Sequence, residues 1–281
     1  MKEYFCGWYF KCQSERESIA LIPAVHRVGG REECSVQLIS SGESLNIPLY
    51  GEPWEIHRDK PWVRFGKNVF SPRGIRLDLQ TASASVSGRF CFGSPTPLRY
   101  DIMGPFCAVP FMECRHRVFS MGHTVDGTLW VNGKTYRFQN GRGYIEGDRG
   151  RSFPKRYAWT QCSFPGGSLM LATADIPLSG LCFTGVTGAV LLRGREYRLA
   201  TYLGARAAGT EGGRVTVRQG DLTLTAELLE DAARPLKAPV GGAMARTVRE
   251  NIRCRARYRL YRGDRALLDL DTDRASFEYE Y

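Results

Sequence analysis

The sequence has no Cys-x-x-Cys pair, no block of like charge and no apolar run long enough to cross a membrane as a helix. Each absence removes a class of function. The nine cysteines, Cys6, Cys12, Cys34, Cys91, Cys107, Cys114, Cys162, Cys182 and Cys254, are odd in number and widely scattered, which excludes a disulfide framework and a zinc knuckle. Met1-Lys2-Glu3-Tyr4-Phe5-Cys6-Gly7-Trp8 lacks the basic start, apolar core and small-residue cleavage site of a secretory leader, so the expected setting is soluble, reducing and cytoplasmic. There is no heptad, collagen or solenoid repeat. Gly150-Arg151-Ser152 lacks the lysine ending and following helix of a phosphate loop, and the glycines from Gly180 to Gly188 run into the strand-like Ala189-Val190-Leu191-Leu192. No zinc finger, basic helix or aromatic RNA-binding strand is present, so no nucleic-acid partner is expected. Lys and Arg nevertheless outnumber Asp and Glu by 39 to 29. Because the arginines are spread with strand-like spacing, this surplus reads as background, while leaving room for an anionic ligand or peripheral contact with an acidic membrane surface. The sequence assigns no oligomeric state.

What the chain does have is β pattern. Gly7-Trp8-Tyr9-Phe10-Lys11 and Ile19-Ala20-Leu21-Ile22-Pro23-Ala24-Val25 open it, and short β-branched and aromatic runs follow, punctuated by Gly, Pro, Ser and Asn. Thr128-Leu129-Trp130-Val131 turns through Asn132-Gly133 into Lys134-Thr135-Tyr136-Arg137-Phe138, and Val190-Leu191-Leu192 turns through Arg193-Gly194; both are hairpin signals. Residues 93–110, rich in proline, read as a connection. Only Met244 to Asn251 reads as a short helix. The expected fold is therefore all-β, with two antiparallel β-barrel units over residues 1–120 and 121–281, since closure removes exposed sheet edges.

The central stretch, residues 143–162, concentrates the chemistry. Extended backbone places Tyr144, Glu146 and Asp148 on one face, and Tyr157, Trp159 and Gln161 on one face of the next strand. Gly150 and Pro154, among Arg149, Arg151, Lys155 and Arg156, read as the turn of a hairpin joining them. A carboxyl in an apolar, aromatic pocket holds its proton and can act as a general acid, with aromatic faces stabilising the cation that results. Equally, Glu146 and Asp148 could pair with Arg149, Arg151 or Arg156 and fix the turn. A second group, Glu113, His116 and His123, offers metal ligands or an acid–base pair, but its spacing matches no metal motif, and no metal is assigned. Cys114 and Cys162 read as structural.

Gly143-Tyr144-Ile145-Glu146, Phe153-Pro154, Tyr157, Trp159 and Gln161 resemble the signature of the tocopherol cyclase family, in which tyrosine-x-glutamate is followed by glycine, phenylalanine-proline and tryptophan-x-glutamine. Gly7-Trp8-Tyr9-Phe10-Lys11 with Ile22-Pro23 is similar to that family's opening, and Ala238-Pro239 before Gly242-Ala243-Met244 to a late segment. The resemblance implies lipocalin-like barrels related to carotenoid hydratases, and acid-catalysed chemistry without a cofactor on a prenylated lipid. It also implies that Glu146, Trp159 and Gln161 line the pocket. Asp148-Arg149 stand where plant-type members carry asparagine-tryptophan, which points to a more polar ligand near Arg149. The expectation is thus a tocopherol-cyclase-like enzyme on a hydrophobic small molecule. Glu146 or Asp148 would be its acid, Tyr157 and Trp159 would shape the pocket, Gln161, Glu113 or His116 would orient a hydroxyl or relay a proton, and Tyr144 and Arg149 would touch substrate. The alternatives are a lipid carrier without chemistry and a structural protein.

Overall fold

A computed structural model describes residues 3–57, 59–109, 112–178 and 181–281. The first half of the chain forms β1 (Tyr4–Gln13), β2 (Ser18–Val28), β3 (Arg31–Ser40), β4 (Ser44–Pro48), β5 (Trp54–His57), β6 (Trp62–Phe65), β7 (Asn68–Ser71), β8 (Gly74–Gln80), β9 (Ser85–Phe92), β10 (Cys114–Val131) and β11 (Lys134–Gly150). They make one antiparallel sheet in the order β4-β3-β2-β1-β11-β10-β9-β8-β7-β6-β5. Two meanders, β1 to β4 and β5 to β11, are joined where β1 pairs with β11, from Phe5 opposite Gly150 to Gln13 opposite Arg142. The sheet curls strongly. Phe10 of β1 and Phe70 of β7 have ring centroids 5.7 Å apart, although β11, β10, β9 and β8 lie between their strands. The enclosed face holds Trp8, Phe10, Leu21, Phe65, Phe90, Leu129, Phe138 and Ile145.

The second sheet contains β12 (Tyr157–Phe164), β13 (Gly167–Leu178), β14 (Leu181–Leu192), β15 (Arg195–Ala200), β16 (Arg206–Glu211), β17 (Arg214–Gln219), β18 (Leu222–Leu228), β19 (Arg234–Val240), β20 (Ala243–Arg262) and β21 (Arg265–Tyr279). Its order is β15-β14-β13-β12-β21-β20-β18-β17-β16, with β19 also on β20. β14 comes against β16, and β15 against β17, which brings the two ends of this sheet together. The Tyr279 hydroxyl donates across the fold to the Thr210 carbonyl at 2.6 Å. Cys162, Leu169, Leu171, Val190, Leu199, Val217, Leu224, Tyr258 and Phe277 form the core. The all-β expectation holds, with helix among the described residues limited to the 3-10 turns Gly104–Ala108 and Thr201–Leu203. No described helix is long and apolar enough to cross a membrane.

Both hairpin signals are realised. Asn132 and Gly133 have φ of 48° and 83°, and Arg193 and Gly194 of 50° and 76°; left-handed backbone at both central residues is the turn whose twist matches the strands. Two expectations are corrected. Met244 to Asn251 is not helical but part of the twenty-residue strand β20. From Val248 onward the even-numbered residues through Leu260 are buried, a period of two whose pairing with β18 and β21 overrides weak helix propensity. Residues 143–162 do not form a hairpin: β11 pairs with β1 and β10, and β12 with β13 and β21.

The chain divides into two compact units: Met1–Arg99, Met112–Phe153 and Leu236–Thr247 in the first, and Tyr100–Phe111, Pro154–Pro235 and Val248–Tyr281 in the second. Where the sequence reading placed one cut near residue 120, the units thus draw on alternating stretches of chain. In the first unit, the Gln37 side-chain amide donates to the Lys237 carbonyl at 2.9 Å and accepts from its N–H at 2.7 Å. The second is tied internally by Arg198, whose guanidinium donates to the Tyr100 and Asp101 carbonyls at 3.0 and 2.7 Å. On its surface, Arg253, Arg255, Arg257 and Arg259 of β20 pair with Asp273, Asp271 and Asp269 of β21, which accounts for part of the dispersed arginine.

Candidate active site

Alternation along β11 puts Ile145 in the apolar core of the first unit. Tyr144, Glu146 and Asp148 therefore point to the other face. The acids do not face the core, yet that face is not open to water: Tyr144 is 1% exposed and Glu146 5%. The neighbouring strands complete the row. β10 sets His116 opposite Asp148 and Val118 opposite Glu146. β1 sets Gly7 opposite Asp148, Tyr9 opposite Glu146 and Lys11 opposite Tyr144. Side chains directly opposite on paired strands are neighbours on one face.

A chain of polar contacts results. The Tyr144 hydroxyl donates to Glu146 Oε2 at 2.5 Å. His116 Nε2 lies 3.4 Å from the same oxygen, and its Nδ1 lies 3.1 Å from Asp148 Oδ1. The Cys114 thiol donates to that Asp148 oxygen at 3.4 Å. One imidazole is thus bracketed by two carboxylates, one of which also receives a phenol. Burial raises the Tyr144 pKa well above its ordinary value, and the adjacent Glu146 raises it further. The Cys114 thiol is likewise pushed well up, by burial first and then by Asp148. Both groups hold their protons at neutral pH and act as donors to the carboxylates.

Of the residues singled out in sequence, Glu146, Asp148, Tyr144 and His116 are brought together. Arg149 points elsewhere: alternation turns it from Asp148, and its Nη1 lies 3.5 Å from Asp59 Oδ1. The Glu113 side chain is exposed, and its carbonyl accepts the N–H of Arg151 at 2.7 Å and of Ser152 at 3.3 Å. His123 is seven positions beyond His116, an odd step that, with the irregularities of β10 near Ser120, leaves it facing inward onto Phe92 with ring centroids 4.6 Å apart. Glu113, His116 and His123 therefore do not form one ligand set.

Tyr157, Trp159 and Gln161 stand on β12 in the second unit, opposite the face that sends Ala158 and Cys162 into its core. They are 7%, 6% and 0% exposed. The Tyr157 hydroxyl donates to Glu278 Oε2. Trp159 is the register partner of Glu278, and Gln161 of Ser276, while Glu250 lies opposite Glu278 on β20. Sequence reading passed over Tyr9 and Lys11 in the first unit, and Glu250 and Glu278 in the second. The alternation of Gly7-Trp8-Tyr9-Phe10-Lys11 already separates Tyr9 and Lys11 from the core-facing Trp8 and Phe10. That β1 lies beside β11 is a long-range pairing with no local sign. Lys11 is only 2% exposed, unusual burial for a lysine, and places a cation in the same row as the two carboxylates.

No family model matches the sequence. Over 94 residues, 32% of this chain and 20% of the relative, it is 30% identical to "Probable tocopherol cyclase, chloroplastic" of Oryza sativa subsp. japonica. Over the same length it is 29% identical to "Tocopherol cyclase, chloroplastic" of Zea mays. The chain thus spans about a fifth of the length of the curated relatives it matches. Among solved structures it superposes on CghA with Sch210972 at a TM-score of 0.59 and 10% identity, over 99% of this chain and 88% of that one. On kievitone hydratase from Nectria haematococca the TM-score is 0.51 at 9% identity, over 99% and 89%. The resemblance of this chain is therefore to the tocopherol cyclases in sequence, along a third of its length, and to CghA and kievitone hydratase in fold, along nearly all of it.

Proposed function

We propose that the protein is an acid catalyst of the tocopherol cyclase type, acting on a hydrophobic small molecule that carries an alkene, such as a prenyl chain. The observation that carries this reading is the bracketed carboxyl: Glu146, buried, with the Tyr144 hydroxyl on Oε2 and His116 between it and Asp148. Glu146 delivers its proton to one alkene carbon, forming a C–H bond and leaving a cation at the other. An oxygen lone pair then closes a C–O bond. If the oxygen is the substrate's own hydroxyl, the product is a ring and an isomer; if it is water, the product is the hydrated alcohol. In both cases the proton lost by that oxygen returns to Glu146, directly or through His116, so that no electron carrier is consumed. Tyr144 and His116 fix which carboxyl oxygen acts, and Asp148 orients the imidazole.

The stretch shared with tocopherol cyclases supports this class, as does a fold in common with a protein named as a hydratase. For Tyr157, Trp159 and Gln161, a substrate-lining role rests on the resemblance alone. A carrier that holds its ligand inside the first unit fits less well, because Phe10, Phe65, Phe70, Phe90 and Phe138, each 0–1% exposed, occupy that interior. The test is incubation with prenylated quinols and polyenes, followed by mass spectrometry of the products. Glu146→Gln should lower turnover by about 10²–10⁴-fold, the usual worth of a positioned acid. Turnover that survives Glu146→Gln and Asp148→Asn combined would remove the acid from this face.

A further inference from the structure

A histidine held between two carboxylates has the makings of a proton relay, and it has equally the makings of a ligand set. One donor atom from each of His116, Glu146 and Asp148 lies within 4.8 Å of the others. Two ligands about 2.1 Å from a tetrahedral ion stand roughly 3.4 Å apart, and His116 Nε2 and Glu146 Oε2 are already separated by 3.4 Å. The other ring nitrogen, Nδ1, is 3.1 Å from Asp148 Oδ1. That is the outer carboxylate contact that fixes the tautomer of a metal-binding imidazole, and it leaves Nε2 facing Glu146. Glu146 is held in turn by the Tyr144 hydroxyl. The three side chains are 15%, 7% and 21% exposed, so the site is sheltered and Asp148 marks its more open side.

The donors select the ion. One imidazole nitrogen with carboxylate oxygens suits a borderline divalent ion, whereas calcium and magnesium call for six or more oxygens. Two carboxylates supply the charge that such an ion neutralises, against the buried Lys11 in the same row.

We propose that His116 Nε2 and Glu146, with Asp148 as the outer carboxylate on Nδ1, form a binding site for a divalent transition-metal ion of the zinc class, and that its occupancy switches off the acid chemistry by taking the lone pairs the proton needs. The binding half stands on the geometry; the inhibitory half rests on the acid-catalyst reading.

The experiment uses the full chain, freed of metal by chelator. Zn²⁺ is titrated by calorimetry, and Co²⁺ by its visible absorption. One ion per chain is expected, with Asp148→Asn weakening binding about 10–100-fold, as loss of an outer carboxylate does. His116→Gln and Glu146→Gln should weaken it at least as much, while His123→Gln, outside the cluster, leaves it unchanged. Circular dichroism and melting temperature establish that each variant is folded; Asp148→Asn, isosteric and the most exposed, serves if the others are not. Absence of one-to-one binding, or binding that all three substitutions leave intact, overturns the site. With a turned-over substrate in hand, Zn²⁺ should inhibit over the concentration range in which it binds, and chelator should restore activity. Binding without any turnover keeps the site and removes the enzyme reading; turnover without binding does the reverse.

Discussion

The imidazole edge of His123 lies directly over Gly143, so close that a β-carbon at position 143 would stand 2.1 Å from Nε2 and 2.5 Å from Cδ2. The ring cannot retreat, since it packs on Phe92 and its Nδ1 is 2.9 Å from Ser120 Oγ. Gly143 opens the tyrosine-x-glutamate stretch, and its requirement is close approach. Gly143→Ala should destabilise the protein by about 1–3 kcal/mol, the usual cost of overpacking a filled interior. The check is the urea midpoint, with an unchanged denaturant slope showing that the unfolded state is not involved. Gly133→Ala, where a β-carbon meets nothing within 4 Å, tests left-handed strain instead and separates the two effects.

His123 also sets a pH dependence. Burial lowers its pKa from 6.5 to about 4. The Ser120 hydroxyl donates to the Gly122 carbonyl at 3.1 Å, so it accepts from Nδ1–H, and Nε2 is left as a bare lone pair facing Gly143. The unfolded chain takes up this proton near pH 6.5 and the folded one only near pH 4, so stability is full above 6.5 and falls as the pH drops through that window. The loss reaches about 3 kcal/mol once both forms are protonated. Urea unfolding from pH 7 to 4 should show this slope, and His123→Gln should remove it. A slope that persists in His123→Gln would assign the effect to other groups.

Strands and tight turns were legible because they are local. A period of two and the pair Asn132-Gly133 describe their own surroundings. The partner of each strand is not local, which is why the stretch from Gly143 to Cys162 read as a hairpin: Gly150 and Pro154 among basic residues look like a turn whether or not the flanking strands pair. In the structure they belong to different sheets. The same limit governs the site. Tyr144, Glu146 and Asp148 share a face by simple alternation, and His116 was visible as one of few histidines, but Lys11 and Tyr9 enter through the β1–β11 register. Met244 to Asn251 shows the opposite failure: helix-forming residues there outweigh an alternation that begins at Val248 and belongs to β20.

The thiols should sort by surroundings. Cys91, Cys107 and Cys182 are exposed, and Cys6, Cys12, Cys34, Cys162 and Cys254 are buried. Burial raises the Cys34 thiol to about 11, and Cys114, although partly accessible, is held protonated by burial and by Asp148. Because the thiolate is the reactive form, Ellman's reagent at neutral pH should titrate three thiols in the native protein and all nine after denaturation. Asp148→Asn takes a negative charge from beside Cys114, and labelling at that position should then quicken. A Cys114 that reacts as fast as Cys91 in the unsubstituted protein would contradict the contact with Asp148.

Lys11 tests whether the polar row works as a unit. It lies opposite Tyr144 on β1, one pleat from Tyr9 and therefore from Glu146, and it is buried. A cation in the same row favours the ionised carboxylate. A general acid must instead be protonated. Replacing the ammonium by a thioether of similar length, in Lys11→Met, therefore stabilises the protonated acid and moves the high-pH limb of the activity profile upward. Arg149→Gln is the control, since Arg149 points to Asp59 and its loss should leave the limb in place. A limb that moves with Arg149 and not with Lys11 would put the proton donor on the other face of β11.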